Sequence, residues 1–99
     1  MHSKLLKTIR WLRRHYPTKT PLVVRVSKKL GRELHGVCLV GDGRALIRIA
    51  SATESVMLDT LLEEYCHVLR HDTPIPIEDD HDAIFWAILG QVTKHWRGE

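Results

Sequence analysis

The segment LHGVCLVGDGRALIRIA, residues 34–50, decides the fold because it contains two β-type segments joined by a glycine-rich turn. Residues 34–40 and 44–50 are rich in apolar and branched side chains, which are typical of strands. Between them lies Gly41-Asp42-Gly43, and glycine adopts the positive φ angles that a tight hairpin requires. The segment therefore predicts two antiparallel strands.

The second strand of this hairpin has one apolar face. Ala45, Ile47 and Ile49 alternate with two arginines and a leucine. Because successive side chains of a strand point to opposite sides, we expect these three to face the core together. Upstream, residues 22–26 read LVVRV, and their β-branched content predicts a short buried strand. The three segments together predict a three-stranded sheet.

Helical spacing precedes the sheet. Leu5, Ile9, Leu12 and Tyr16 recur with the period of a helix, which predicts a first helix over residues 3–16. Its apolar stripe is narrow, and its basic side chains lie off that stripe.

Two more helices are predicted after the sheet. Ser51 and Glu54 have the spacing of a capping box, which predicts a helix that begins there and runs to about residue 70. After a loop with two prolines, Asp79 or Asp80 is expected to cap a last helix that runs to about residue 95. The predicted order is one helix, three strands and two helices, which is an α+β fold.

The composition fits a single globular domain over residues 1–99. The chain is 43% hydrophobic and 27% charged. No apolar run approaches the roughly 20 residues that a membrane helix needs, and no signal-like stretch follows the N-terminus. Cys38 and Cys66 are too few for a disulfide framework. We therefore expect a cytoplasmic protein with no membrane partner.

Charge is divided unevenly along the chain. Residues 1–32 contain ten Lys and Arg and no acid, whereas residues 33–99 contain five Lys and Arg and all twelve acids. This division fits either a basic surface that binds nucleic acid or two solvated surfaces that attract each other in the folded chain. Under the first interpretation, the candidate nucleic-acid contacts are Lys7, Arg10 and Arg14, since they lie off the apolar stripe of the first helix.

Residues 63–67, EEYCH, are the first candidate for chemistry. Glu63 and His67 are four residues apart, so on a helix both side chains can reach one metal ion, with Glu64 beside them. Taken alone, such a short pattern is most often an exposed acidic helix face. His81, at the predicted start of the last helix, adds a further metal-ligating side chain.

This pattern resembles the zinc peptidase motif H-E-x-x-H, with Glu63 in place of the first histidine. Residues 81–86, HDAIFW, match the H-x-x-x-F-W pattern that carries the third zinc ligand in SprT-like and related small zincin metallopeptidases of phage and bacteria. The order of elements is also similar, so the resemblance covers about residues 22–96. It implies a zincin-like fold with an N-terminal helix, a three-stranded sheet, an active-site helix and a C-terminal ligand-bearing helix.

Residue by residue, the resemblance implies that Glu63, His67 and His81 are metal ligands and that Glu64 is the general base for water. His71, one turn after His67, is either a supporting residue of this site or a surface histidine. Zinc sites with two histidines and one glutamate exist, so zinc is the expected cofactor. A carboxylate in place of an imidazole also suits harder ions, so manganese and no bound metal stay as alternatives.

Two functions follow. The first is a small zinc metallopeptidase that hydrolyses a peptide or protein substrate by metal-activated water. Relatives in this broad group act on DNA-associated proteins, so the resemblance makes DNA or a DNA-bound protein a candidate partner. The second is a catalytically inactive zincin scaffold that binds nucleic acid or protein through its basic N-terminal surface.

Overall fold

One helix, three strands and two helices follow one another along residues 3–28 and 34–98, which are the residues that the computed structural model describes. The elements are α1 (Ser3–His15), β1 (Leu22–Ser27), β2 (Gly36–Gly41), β3 (Arg44–Ala50), α2 (Glu54–Asp72) and α3 (Ala83–Trp96). The predicted order and the α+β class are confirmed. Within these ranges, none of the helices combines the length and the apolar character that crossing a membrane requires.

The sheet is mixed, and β3 is its central strand. β1 pairs with β3 in parallel, with Val24 opposite Ile47. On the other side β2 pairs with β3 in antiparallel fashion, with Cys38 also opposite Ile47. β2 is therefore an edge strand, and within the described residues only one of its two backbone edges is paired.

The predicted hairpin between β2 and β3 is present, but its turn residues and the start of β2 differ from the prediction. The positive φ angles occur at Asp42 (52°) and Gly43 (71°), whereas Gly41 is the last residue of β2. Two consecutive positive φ angles are typical of a two-residue turn whose twist matches that of the strands. β2 also begins at Gly36, two residues later than the predicted strand of residues 34–40.

The core lies between one face of the sheet and the helices. Ala45, Ile47 and Ile49 are buried there, as the alternation predicts, together with Leu5 and Leu12 of α1. α2 contacts both other helices as well as β2 and β3, so it is the central element of the helical layer.

The prediction of a buried β1 is only half right. Leu22 is buried, but Val23 and Arg25 are exposed. The reason is that β1 is the other edge strand, and the helices cover only the face of the sheet that carries Ile47.

Both predicted helix caps differ from the observed ones. Thr53 precedes α2 without a side-chain cap, and the Ser51 N–H donates to the Ser27 carbonyl at 2.7 Å, so Ser51 extends the sheet instead of forming a capping box. α3 is capped by Asp82, whose carboxylate accepts from the Phe85 N–H at 2.9 Å, and not by Asp79 or Asp80.

Arg70 is one of the most buried side chains of the described residues, with 1% exposure. Its guanidinium donates to Asp82 at 2.7 to 3.0 Å and to the carbonyls of Ile75 and Pro76 at 3.0 Å each. The bond from Arg70 and the bond from the Phe85 N–H hold the pKa of Asp82 at about 2. This ion pair ties the start of α3 to the end of α2.

Candidate functional site

A cleft of about 520 Å³ lies between the edge strand β2, the polar side of α2 and the turn that precedes α3. The cleft is lined by all the residues proposed from the sequence for this site: Glu63, Glu64, His67, His71 and His81. The remaining lining residues are Leu34, Gly36, Val37, Cys38, Leu39 and Asp80.

Glu63 and His67 come from successive turns of α2, whereas His81 comes from the turn before α3. The Nε2 atom of His81 lies 3.8 Å from a carboxylate oxygen of Glu63. The ring centroids of His67 and His81 are 4.9 Å apart. Two segments separated along the chain thus bring two imidazoles and one carboxylate together.

Phe85 packs against both imidazoles. His67 stacks on its ring at a centroid distance of 4.2 Å and an angle of 19°, and His81 meets it at 5.0 Å with a steeper angle. Phe85 is fully buried, whereas the adjacent Trp86 is 54% exposed. Of this aromatic pair, Phe85 is therefore the residue that packs in the core.

The donor atoms fit zinc in kind, because two histidines and one carboxylate form a known ligand set. Across residues 3–28 and 34–98, no three His, Cys, Asp or Glu side chains are already arranged as metal ligands. Glu63 and His67 are half-buried and His81 is exposed. Binding of one ion by all three therefore requires side-chain rotation within the cleft, for which the Glu63 and His81 side chains, 44% and 47% exposed, have room.

Glu64 lies against the sheet because Gly36 allows it. A Cβ atom at Gly36 would meet the Glu64 Cγ at 3.3 Å and the Arg48 carbonyl oxygen at 3.1 Å, and it would collide with Thr60 Cγ2. The absence of a side chain at this point lets α2 approach β2 closely, and Glu64 is only 8% exposed as a result.

Burial changes the acidity of a carboxyl group and an imidazole in the cleft. Desolvation, with a smaller effect of the Glu63 charge, raises the pKa of Glu64 to about 7. Desolvation, followed by the effect of nearby His81, lowers the pKa of His67. The lowered pKa favours the neutral imidazole, which is the form that binds metals.

The two cysteines are not suited to act as nucleophiles. Cys38 is half-buried in the cleft, and Cys66 is fully buried in the core. Burial is the main cause that raises the pKa of each thiol to about 12, with Glu64 adding to the effect at Cys38 and Glu63 at Cys66. Both thiols are therefore protonated at neutral pH, whereas nucleophilic attack requires a thiolate.

The basic residues nominated for nucleic acid binding lie elsewhere. Lys7, Arg10 and Arg14 are exposed on α1, and none of them lines the cleft. A larger cleft, of about 750 Å³, lies on the uncovered face of the sheet near the hairpin turn. Its only acidic side chain is Asp42, and it contains no histidine or cysteine, so it has no comparable set of catalytic groups.

Comparison with protein-family profiles, with curated proteins and with solved structures finds no match to this chain.

Three residues that matter to the cleft were not among the sequence candidates: Gly36, Cys38 and Arg70. A glycine inside a β-type segment often marks a place where another part of the chain approaches the backbone closely, so the role of Gly36 was predictable from the sequence. The role of Arg70 was not, because a lone arginine on a helix is usually solvated.

Gly36→Ala is expected to destabilise the protein by about 1–3 kcal/mol, because the new methyl group forces α2 away from β2. Gly41→Ala on the same strand is the matched control, since a Cβ there meets nothing within 4 Å. Urea unfolding of both variants measures the difference. Equal stability of the two variants would contradict the close packing at Gly36.

Glu64→Gln is expected to stabilise the metal-free protein at high pH. With a pKa of 4.5 in the unfolded chain and about 7 in the fold, Glu64 costs nothing below about pH 4.5 and progressively destabilises the fold as the pH rises through 7. The gain on substitution should grow by about 2–3 kcal/mol between pH 4 and pH 8. Thermal unfolding in the presence of a chelator measures it, and a gain independent of pH would refute the burial effect.

Proposed function

We propose that this chain is a zincin-like metallopeptidase of the SprT-like type, which binds a divalent ion, zinc in the first instance, and hydrolyses an extended polypeptide. The observation that carries the proposal is the meeting of Glu63, Glu64, His67 and His81 in one cleft beside an edge strand. The spacing of residues 63 and 81 in the sequence does not require their side chains to lie in one cleft, because a loop and two helix ends separate them.

Three side chains would hold the ion: Glu63, His67 and His81. A divalent ion bound there supplies Lewis acidity, which polarises a substrate carbonyl and acidifies a water molecule. The stacking of His67 on Phe85 restricts the orientation of that imidazole, and its lowered pKa keeps a lone pair available. His81, from the turn before α3, would be the third ligand, so α2 needs to supply only two.

Glu64 is the proton carrier in this proposal. Its carboxylate lines the same cleft, one residue from Glu63. It accepts a proton from the water as the oxygen bonds to the carbonyl carbon, and it delivers that proton to the amide nitrogen as the carbon–nitrogen bond breaks. The close packing at Gly36 holds its side chain against β2 during both transfers.

The edge strand supports a polypeptide as the substrate. β2 uses one edge to pair with β3, and within the described residues its other edge is free. An extended peptide can add to such an edge by main-chain hydrogen bonds, which recognise any sequence. Leu39, at 56% exposure, and Leu34, at 53%, offer apolar contact beside it in the cleft.

Metal content of protein purified without a histidine tag tests the proposal. We expect one zinc per chain, lost in Glu63→Ala and in His81→Ala but kept in Glu64→Gln. Cleavage of fluorescent unfolded casein should fall at least 100-fold in Glu64→Gln, which is the usual effect of removing a general base.

His15→Ala is the matched control for the metal measurement, because His15 is exposed and lies outside the cleft. It should retain both metal and activity. Zinc retention in Glu63→Ala and His81→Ala would show that the ion is held elsewhere and would overturn the assignment.

The charge of α1 favours a second candidate function, binding of nucleic acid. Lys7, Arg10 and Arg14 are exposed, and the ion pairs found among the described residues leave all three without a carboxylate within 4.0 Å. Among the described residues, attraction between the basic and acidic parts of the chain therefore does not take the form of direct ion pairs at these positions. Exposed cations are suited to phosphate contacts.

Neutralising Lys7, Arg10 and Arg14 to Gln together is expected to weaken binding to a 20-base-pair DNA duplex. The slope of log K against log salt should also become shallower by about one for each phosphate that the variant no longer neutralises. Fluorescence anisotropy at 50 to 200 mM salt measures both quantities, and Glu64→Gln serves as the control that should bind normally. Unchanged affinity and slope would exclude α1 as the contact surface.

A further inference from the structure

We propose that Arg70 is a positioning residue that sets the place of His81 in the cleft, and this inference rests on the proposed function. Arg70 does not itself line the cleft. It acts on His81 through Asp82 and through the backbone that leads to it.

The two candidate histidine ligands reach the cleft with very different support. His67 belongs to α2 and stacks on Phe85, so helix and core both fix it. His81 also meets the Phe85 ring, at 5.0 Å, but it lies in a turn, its side chain is 47% exposed, and its N–H donates to Asp79, only two residues away, at 2.9 Å. The place of His81 therefore depends on what holds the segment around it.

Arg70 restrains the segment around His81. It lies on α2 three residues after His67, so the same helix carries one ligand and the anchor of the other. Its Nη1 donates to the Ile75 carbonyl and its Nη2 to the Pro76 carbonyl, each at 3.0 Å. Among the described residues, these two are the hydrogen bonds that join residues 74–81 to a regular element; the others stay within the connection.

The same guanidinium also fixes the residue that follows His81. Its Nε and Nη2 donate to the Asp82 carboxylate at 2.7 to 3.0 Å, and that carboxylate accepts from the Phe85 N–H at the start of α3. One group thus fixes the chain on both sides of His81, at residues 75–76 and at Asp82.

Arginine is suited to this task and lysine is not. The planar guanidinium presents five donors in a rigid fork, and here it bonds two carbonyls and a bidentate carboxylate at once. A lysine ammonium keeps the charge but cannot reproduce this geometry. At 1% exposure, Arg70 is also too buried for solvent to substitute for a missing partner.

Zinc affinity of two variants tests the proposal directly. Arg70→Lys keeps the charge without the fork, and Asp82→Asn keeps an oxygen to cap α3 but loses the ion pair with Arg70. We expect both to weaken zinc binding by about 10 to 100-fold, the usual effect of removing a group that orients a metal ligand. Competition with a chromophoric chelator measures the affinity.

Tyr65→Phe is the matched control. The buried Tyr65 hydroxyl donates to the Tyr16 carbonyl at 2.6 Å, and the residue is on α2 but outside the cleft. It should lower stability and leave zinc affinity within about twofold of the native chain. If Arg70→Lys does not fold, the comparison of Asp82→Asn with Tyr65→Phe decides the question.

A second measurement needs no metal. The ring protons of His81 lie near the Phe85 and Trp86 rings, at centroid distances of 5.0 and 5.6 Å, so their NMR shifts report its position. In the metal-free Asp82→Asn and Arg70→Lys proteins, we expect these shifts to move toward those of a free histidine while the His67 shifts stay closer to native.

Native zinc affinity in both variants, with native His81 shifts, would overturn the role of Arg70. If the native chain itself binds no zinc, the proposed function fails. The shifts alone then decide the positioning role, which displaced shifts support and native shifts refute.

Discussion

The close approach of α2 to the edge strand β2 at Gly36 is the constraint on which the site depends. Without a side chain there, Thr60 and Glu64 pack directly against the strand. This packing forms one wall of the cleft, buries Glu64 and puts it beside the edge of β2 that does not pair with β3. A bulkier residue at Gly36 would widen the gap, hydrate Glu64 and separate the acid from the edge that a peptide would occupy.

The second part of the site is held by polar contacts through the connection between α2 and α3. Phe85 packs against both imidazoles, and Arg70 fixes the backbone on both sides of His81. Glu63 and His81 keep enough exposure to rotate, whereas His67 is restrained by its stacking on Phe85. This combination suits a site that takes up an ion from solution, since the ligands need mobility and their spacing needs precision.

Local patterns predicted most of the fold and the cluster of cleft residues on α2. The alternation in β3, the Asp42-Gly43 turn and the stripe of α1 each depend on near neighbours in sequence, and each is present. The proximity of Glu63 and His67 was also predictable from the local sequence, because a helix places residues four apart on one side.

The parts that could not be predicted depend on contacts between distant residues. The burial of Arg70 follows from acceptors up to twelve residues away, and the space at Gly36 follows from a helix that begins eighteen residues later. Ser51 has a capping pattern, yet its N–H pairs with Ser27 across the sheet, so tertiary pairing prevails over the local motif.

The central claim is that Glu63, His67 and His81 share one divalent ion. X-ray absorption at the zinc edge of the zinc-loaded chain tests it most directly. We predict nitrogen and oxygen ligands at about 2.0–2.2 Å with the outer-shell scattering of two imidazoles, and no zinc signal from His81→Ala. A sulfur ligand at about 2.3 Å, or imidazole scattering unchanged in His81→Ala, would contradict the account.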